Sequence, residues 1–467
     1  MIRPSPTSNC RARRRRVGGA ALCLAVAVTL AAACGSSDSA KSGEATPTSS
    51  NGSGSDPSSA GDDAELTASF RGVTEDTITL GAVGIDFDLL RELGLVDIDF
   101  GDTELVLQTF ADELNDRGGI LGRKVEIEFR TYSVLSPESA LAACVELTED
   151  VEVFAMLNGF NGPAKSTDTC IANDHETVLI GDAGNNEDMI SAKAPWIQTA
   201  LAGNTRLDLA AIDLADGEGL LDGETIAIHS LAAESERVAP IRERLESLGH
   251  EVVLETTNDA GQDPALGAEN WQVIAERIKE EKITTLIIPG AATFEVGQMI
   301  DLGLIDDLQI INSDIAVGGL PTFDNHDDED FDGIIGTFGP TAAEGEDDPG
   351  LAECREIFET ATGIEVLPAA ELGEDDPNWG VSIALACTRL RLFEMLATAA
   401  GPNLTNDTFR AAVEAAGEVD LPGVSKITFG PGKYDGNDSA RLGVLDSSLE
   451  EVWKPITDLI ELPAPSE

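Results

Sequence analysis

Basic side chains are scarce in this chain, and the scarcity limits what it can touch. Of 467 residues, 30 are Lys or Arg and 85 are Asp or Glu, for a formal charge of −55. Arg3, Arg11 and Arg13 to Arg16 all precede the first acid, which leaves 24 basic against 85 acidic side chains, or −61, in the remainder. Nucleic acid and anionic lipid surfaces need positive charge and are excluded as partners. A solvated acidic surface that keeps the protein soluble, also at high salt, accounts for the charge without naming a ligand. Histidines number 4, and His175, His229, His250 and His326 are scattered; without close cysteine pairs they make no zinc site. Asp328, Asp330, Asp332 and Gly333 open like a calcium loop, but the twelfth position is Gly339 rather than Glu, so the segment reads as a solvated acidic loop and no metal is expected. Also missing are a Gly-x-Ser-x-Gly elbow, a His-Glu-x-x-His pair and a phosphate loop ending in Gly-Lys-Ser/Thr. No enzyme activity and no cofactor are therefore expected; a hydrolase built on a chance carboxylate pair is the remote alternative.

Long apolar runs are absent beyond residue 33, so no later segment should cross a bilayer. Before that point, the arginine cluster leads into an apolar run of about 17 residues, Val17 to Ala33, ending in small residues before Cys34. A charged region, a short apolar region and small residues describe a secretory signal peptide over 1–33. Cys34 resembles the lipidated cysteine of a bacterial lipobox, although Ala31 stands where leucine is usual and Leu30 lies one place further back. Ordinary cleavage with Cys34 incidental is the alternative. The following stretch, 34–65, is Ser, Gly, Asp, Pro and Thr with hardly an apolar side chain, and reads as a flexible tether. These features place the body outside the cytoplasm, held by lipid to the outer face of a bacterial cell membrane.

Cys144, Cys170, Cys354 and Cys387 remain in the body. An even number in an exported chain reads as disulfides. Three pairings are possible. The local one, Cys144 with Cys170 and Cys354 with Cys387, is expected because each pair lies on successive helix candidates; buried free thiols are the alternative. The body of roughly 400 residues is natural for two domains. Strands at 77–83, 125–132, 151–157 and 177–181 alternate with helices at 103–116, 137–148 and 163–173. A second series alternates helices at 205–216, 238–248, 271–280 and 295–302 with strands at 225–229, 251–255, 284–289, 309–313 and 333–338. Helices at 351–362, 380–400 and 406–416 and strands at 426–429 and 443–446 follow. The pattern predicts an α/β fold of two doubly wound, Rossmann-like lobes with parallel sheets covered on both faces. Ligands in such sheets sit outside the carboxyl ends of the strands. Those ends here carry short polar or glycine-rich loops, and facing strand ends describe a cleft that closes on a small molecule.

Asn115-Asp116-Arg117-Gly118-Gly119-Ile120-Leu121-Gly122-Arg123 resembles the Asn-x-x-Gly-Gly-Ile-x-Gly-Arg turn of leucine/isoleucine/valine-type substrate-binding proteins of ABC transporters, which have the periplasmic-binding-protein type I fold. Glu295-Val296-Gly297-Gln298 resembles a second element of the same family. The resemblance implies lobe 1 over 66–202 and 340–418, lobe 2 over 203–339 and 419–467, and a hinge of three crossings. It implies a ligand carboxylate held by Asn161 and Gly162 with Ala183, Gly184 and Asn185, and a ligand ammonium held by Glu295. Two departures stand out: Glu234 replaces the aromatic clamp expected after the first strand of lobe 2, and Asp86 and Asp88 follow the first strand of the chain. Extra carboxylates point to a more polar or cationic ligand than leucine, unless those side chains face outward. The resemblance thus implies a monomer that captures an amino acid, amine or amide and delivers it to an ABC permease. A ligand-sensing receptor without transport is the alternative.

Overall fold

The computed structural model describes residues 66–92, 99–160, 169–181, 186–199, 204–259, 264–290, 293–313, 317, 326–339, 344, 348–368, 371–373, 376–423, 426–449 and 452–462. The expected signal peptide, the tether and Cys34 lie outside them. No helix among these residues is long and apolar enough to cross a membrane.

The first sheet is built from β1 (Thr77–Ile85), β2 (Lys124–Tyr132), β3 (Ala155–Met156), β4 (Val178–Ile180) and β5 (Trp196–Ile197). Its order is β2-β1-β3-β4-β5, with every pairing parallel. Helices α1 (Phe87–Glu92), α2 (Thr103–Asp116), α3 (Pro137–Val145) and α4 (Asn186–Ser191) intervene. Helix α2 starts where Asp102 accepts from the Leu105 N–H at 3.0 Å. It buries Val106, Leu107, Phe110, Ala111 and Leu114 along one face. Gly118 and Gly119 end it at φ +110° and +64°. A Cβ at Gly119 would lie 2.0 Å from the Arg123 carbonyl oxygen, so only glycine fits that turn. Asn115 then ties the helix end to β2, accepting from Val125 N at 2.7 Å and donating to Val125 O at 2.8 Å.

Arg123 explains why a basic residue closes this motif. Its side chain is buried and donates to Thr74 O, Thr67 O and Pro402 O at 2.7, 2.8 and 2.9 Å. One guanidinium thereby fastens the start of the body and a distant loop to β2. The strand expected at 151–157 is shorter, because Val151 N and Val153 N bond back to Glu146 O and Leu147 O at the end of the preceding helical segment. Part of the helix expected at 163–173 lies outside the described residues; its end forms the π turn Cys170–Asp174.

The second sheet follows α5 (Asn204–Gly217). It uses β6 (Ile226–Leu231), β7 (Val252–Asn258), β8 (Thr285–Ile288), β9 (Gln309–Asn312) and β10 (Ile335–Phe338), in the parallel order β7-β6-β8-β9-β10. Helices α6 (Val238–Leu248), α7 (Pro264–Glu281) and α8 (Thr293–Asp301) connect them. One face packs Trp271, Ile274 and Ile278 of α7, the other Ala211 and Ile212 of α5 with Ile241 and Leu245 of α6. Covering on both faces is what apolar parallel strands require.

The chain then returns to the first body. Helices α9 (Pro349–Thr362) and α10 (Trp379–Ala400) both pack on α2, and α11 (Asn406–Ala415) packs on α10. Phe154, Phe393 and Phe409 meet at centroid distances of 6.1, 5.9 and 5.9 Å. Strands β11 (Gly417–Val419) and β12 (Ile427–Phe429) form a small antiparallel pair. Val419, Leu421, Ile427, Phe429 and Tyr434 still belong to the first core, although the resemblance implies a change of lobe at 419. Finally β13 (Ser439–Leu445) joins the second sheet antiparallel to β10, flanked by β14 (Trp453–Pro455) and β15 (Ile460–Glu461). The chain thus passes between the sheets after β5, after β10 and after β12. Both disulfides take the local pairing, Cys144–Cys170 and Cys354–Cys387, with Cα separations of 6.6 and 6.2 Å.

Candidate functional site

The carboxyl ends of parallel strands leave the backbone pointing into loops, so side chains there are positioned by rigid strands without being consumed by them. At the end of β1, Asp86 is half-buried and accepts from Leu89 N at 2.9 Å, while its own N–H donates to Tyr132 O at 2.9 Å. It therefore caps α1. Beyond β3, Asn158 accepts from Val83 N at 2.9 Å and donates back to Val83 O. Phe160 is buried edge-on against Tyr132 at 4.9 Å. Asn161, Gly162, Ala183, Gly184 and Asn185 lie outside the described residues.

The second sheet carries a denser polar set. After β6 the chain turns through the 3-10 segment Ala232–Arg237. Arg237 is 4 % exposed and grips Asp208 of α5 with two bonds of 2.8 and 2.7 Å. It also donates to Glu234 Oε2 at 2.9 Å, while Ser313 at the end of β9 donates to Asp208. Burial works against the Arg237 charge, but the bonds to Asp208 and Glu234 more than offset it and hold the guanidinium above its ordinary pKa. Glu234 is thus an ion-paired carboxylate, 23 % exposed, at the rim of the sheet. Gly290, after β8, has φ +81°, and a Cβ there would come 2.9 Å from Glu234 Cγ and 3.1 Å from Arg237 Nη1. A glycine lets the β8 loop close on this ion pair.

Glu295 stands in the first turn of α8 and is 1 % exposed. Asn258, at the end of β7, donates to Glu295 Oε1 at 3.3 Å, and Asn270 of α7 donates to Asn258 Oδ1 at 3.1 Å. No cation pairs with Glu295 among the described residues. Burial pushes its carboxyl up to about 7, against the opposing pull of its backbone and Asn258 hydrogen bonds. On the same face of the sheet His229 is fully buried, shares a 2.9 Å hydrogen bond with Thr256 and packs on Trp271 at 4.6 Å. Burial pushes this imidazole down to about 3, so it stays neutral.

The structure therefore brings Glu234 and Glu295 to the carboxyl edge of one sheet and Asp86 to that of the other. Sequence reasoning missed Arg237, Asp208, Ser313, Asn258 and His229. The signal available for Arg237 was rarity: in a chain so poor in basic residues, an arginine just after a strand is conspicuous. Chemically, the second edge offers a buried carboxyl close to half-ionised at neutral pH and a neutral imidazole behind it, next to an ion pair. Such an edge can accept hydrogen bonds or take a positive charge. In the calcium-like loop, Asp330 forms a capping box with Asp327, and Asp332 accepts from Ser447 N at 2.6 Å.

The sequence matches no family model and no curated protein. Solved structures do match. A fatty acid ABC transporter substrate-binding protein from Thermomonospora curvata is 14 % identical with a TM-score of 0.56, over 85 % of this chain and 95 % of that one. An ABC transporter substrate-binding protein from Desulfitobacterium hafniense in complex with Leu is 13 % identical with a TM-score of 0.54, over 82 % of this chain and 100 % of that one. A periplasmic binding protein type 1 from Bordetella pertussis Tohama I is 14 % identical with a TM-score of 0.54, over 82 % and 100 %. The chain has the periplasmic-binding-protein type I fold, and its neighbours are ABC transporter substrate-binding proteins, as the turn at Asn115 to Arg123 implies.

Proposed function

We propose that this chain, built on the type I binding-protein fold, is an extracytoplasmic solute-binding lipoprotein that captures a small polar solute and hands it to an ABC importer. Lobe 1 comprises 66–202 and 340–434, where the resemblance alone ends it at 418, and lobe 2 comprises 203–339 with the tail. The third crossing is proposed near Asp435 rather than at 419, since Val419, Leu421, Ile427, Phe429 and Tyr434 pack with the first core. Ligand contacts to both lobes favour the closed state, which the permease recognises.

The observation that carries the ligand class is Glu295: a carboxyl 1 % exposed, at the end of the second sheet, hydrogen-bonded by an amide and paired with no cation among the described residues. Such a group is satisfied by a ligand that brings donors, above all an ammonium, because in a water-excluded site the pair is weakly screened. Glu234 stands near the same edge as a second carboxylate, shared with Arg237. On lobe 1 the resemblance assigns the donors for a ligand carboxylate to Asn161, Gly162, Ala183, Gly184 and Asn185, and Asp86 follows β1 of the same lobe. Solved neighbours bind, by their titles, a fatty acid and leucine, both carboxylates. The proposed ligand is therefore an amino acid or a related amine or amide.

The test is a thermal-shift screen against amino acids, polyamines, amides and small sugars, followed by calorimetry on the hit. Glu295→Ala is expected to weaken an amine-bearing ligand by about 10- to 100-fold. Undiminished affinity removes Glu295 from the site, and a ligand chemically altered on recovery replaces binding with catalysis. For the anchor, Cys34→Ser is expected to release the protein from the membrane fraction; retention there refutes lipidation at that residue.

A further inference from the structure

All three passages between the sheets meet in one short segment, Lys433 to Arg441. The first passage leaves β5 at Gln198, which lies parallel against Asp435: Gln198 N donates to Tyr434 O at 3.1 Å and Gly436 N donates to Gln198 O at 2.8 Å. That passage ends at α5, and Arg206 in its first turn reaches back to Asp435 Oδ2 at 2.6 Å and Asp438 Oδ1 at 2.5 Å. Lys433 completes the set, 3.0 Å from Asp438 Oδ1 and 3.6 Å from Asp435 Oδ1, with further bonds to Thr428 O and Asp435 O. The second passage is caught separately, where Arg441 donates to Glu344 at 2.7 Å. The side chains of Arg206, Lys433, Asp435 and Asp438 are 7, 9, 0 and 4 % exposed. Two cations and two anions thus neutralise one another out of water.

Charges buried this way cost desolvation that a greasy linker would avoid, so they are poor devices for stability alone and good ones for specifying a geometry. The sequence separations support the second role. Lys433 bonds within its own loop, but Arg206 lies 229 and 232 residues from its two partners and belongs to the other side of a crossing. We propose that the Arg206–Lys433–Asp435–Asp438 cluster is the pivot of the molecule, holding the first and third crossings as one ribbon so that the lobes turn about a single axis and adopt one defined angle in the unliganded state. Arg206 is the positioning residue, because its planar fork reaches both carboxylates from the far side of a crossing, whereas Lys433 meets them within its own loop. The inference concerns the empty protein and stands whatever ligand the cleft takes.

The experiment reads the interlobe distance without ligand. Spin labels are attached through Leu141→Cys on the first body and Val273→Cys on the second, positions 50 and 60 % exposed, in the full chain with Cys10, Cys23 and Cys34 replaced by Ser. The parent is expected to give one narrow distance distribution. The charge-balanced double variant Lys433→Met/Asp438→Asn should at least double its width. Arg206→Lys, which keeps the charge but loses the fork, should broaden it to a lesser degree while each lobe keeps its parental circular dichroism. Distributions in both variants that superimpose on the parent's overturn the proposal and leave the cluster a local brace of the loop before β13.

Discussion

Burial acts on two side chains of the second sheet in opposite senses, and pH separates them. Glu295 has a folded-state pKa of about 7 against an ordinary value of 4.5. Above pH 4.5 an unfolded chain releases this proton while the folded one keeps it, so the stability Glu295 contributes at low pH is lost as pH rises from 4.5 through 7. The loss is on the order of 3 kcal/mol. His229 behaves the other way: kept neutral with a pKa of about 3 against 6.5, it contributes stability present above pH 6.5 and lost as pH falls toward 3. Glu295→Gln removes the first of these alone. Denaturant titrations at pH 4.5, 6 and 8 are expected to show the variant gaining on the parent between the first and last points and levelling off beyond. Parallel curves for the two proteins would mean that Glu295 ionises freely and is not buried as described. The same carboxyl predicts that binding an ammonium near neutral pH releases a fraction of a proton, measurable by calorimetry in buffers of different ionisation enthalpy.

Among the elements, the disulfides join helical segments that propensity alone holds weakly. Cys144–Cys170 ties α3 to the π turn before β4, and Cys354–Cys387 ties α9 to α10. Closing separations of 26 and 33 residues is worth about 3.5 kcal/mol each in the loop-entropy account. Replacing Cys354 and Cys387 by Ala is therefore expected to lower Tm by roughly 7–14 °C with the secondary structure retained. A denatured, unreduced sample that exposes all four body thiols to a titrant would refute both bridges. The elements were legible where periodicity was long. Helices α2 and α6 match the predicted spans end for end, because each has an amphipathic face closed by glycine, Gly118 and Gly119 after α2 and Gly249 after α6, and Asp102 caps the start of α2. Strand β3 was legible in place but not in length, and β5 was not legible, since a ladder of two residues leaves no period to read.

For the whole molecule, charge is the dominant condition. Most cations in the described body already sit in ion pairs or backbone bonds, as Arg117 does with Glu394, Arg130 with Glu146 and Arg123 with three carbonyls. The remaining acids repel one another across the surface, and added salt screens that repulsion while leaving buried pairs nearly untouched. Raising NaCl from about 0.05 to 0.5 M is expected to add about 1–2 kcal/mol, or roughly 2–8 °C in Tm. A Tm that falls over that range would show surface ion pairs outweighing the excess of acid.

The alternation of strands and helices, the two-lobed α/β class, the local cysteine pairing and the Asn115 to Arg123 turn were all determined by sequence, because each depends on residues close along the chain. Glycine at 119 and the Asn115 side chain answer to neighbours within ten positions. What tertiary structure alone decided is the company each charge keeps. Glu234 is held by Arg237, Arg237 by an aspartate from α5, and Arg206 by partners more than 200 residues away. Burial and long-range pairing set the protonation of Glu295 and the grouping of charges at the crossings, and neither leaves a period or spacing in the chain.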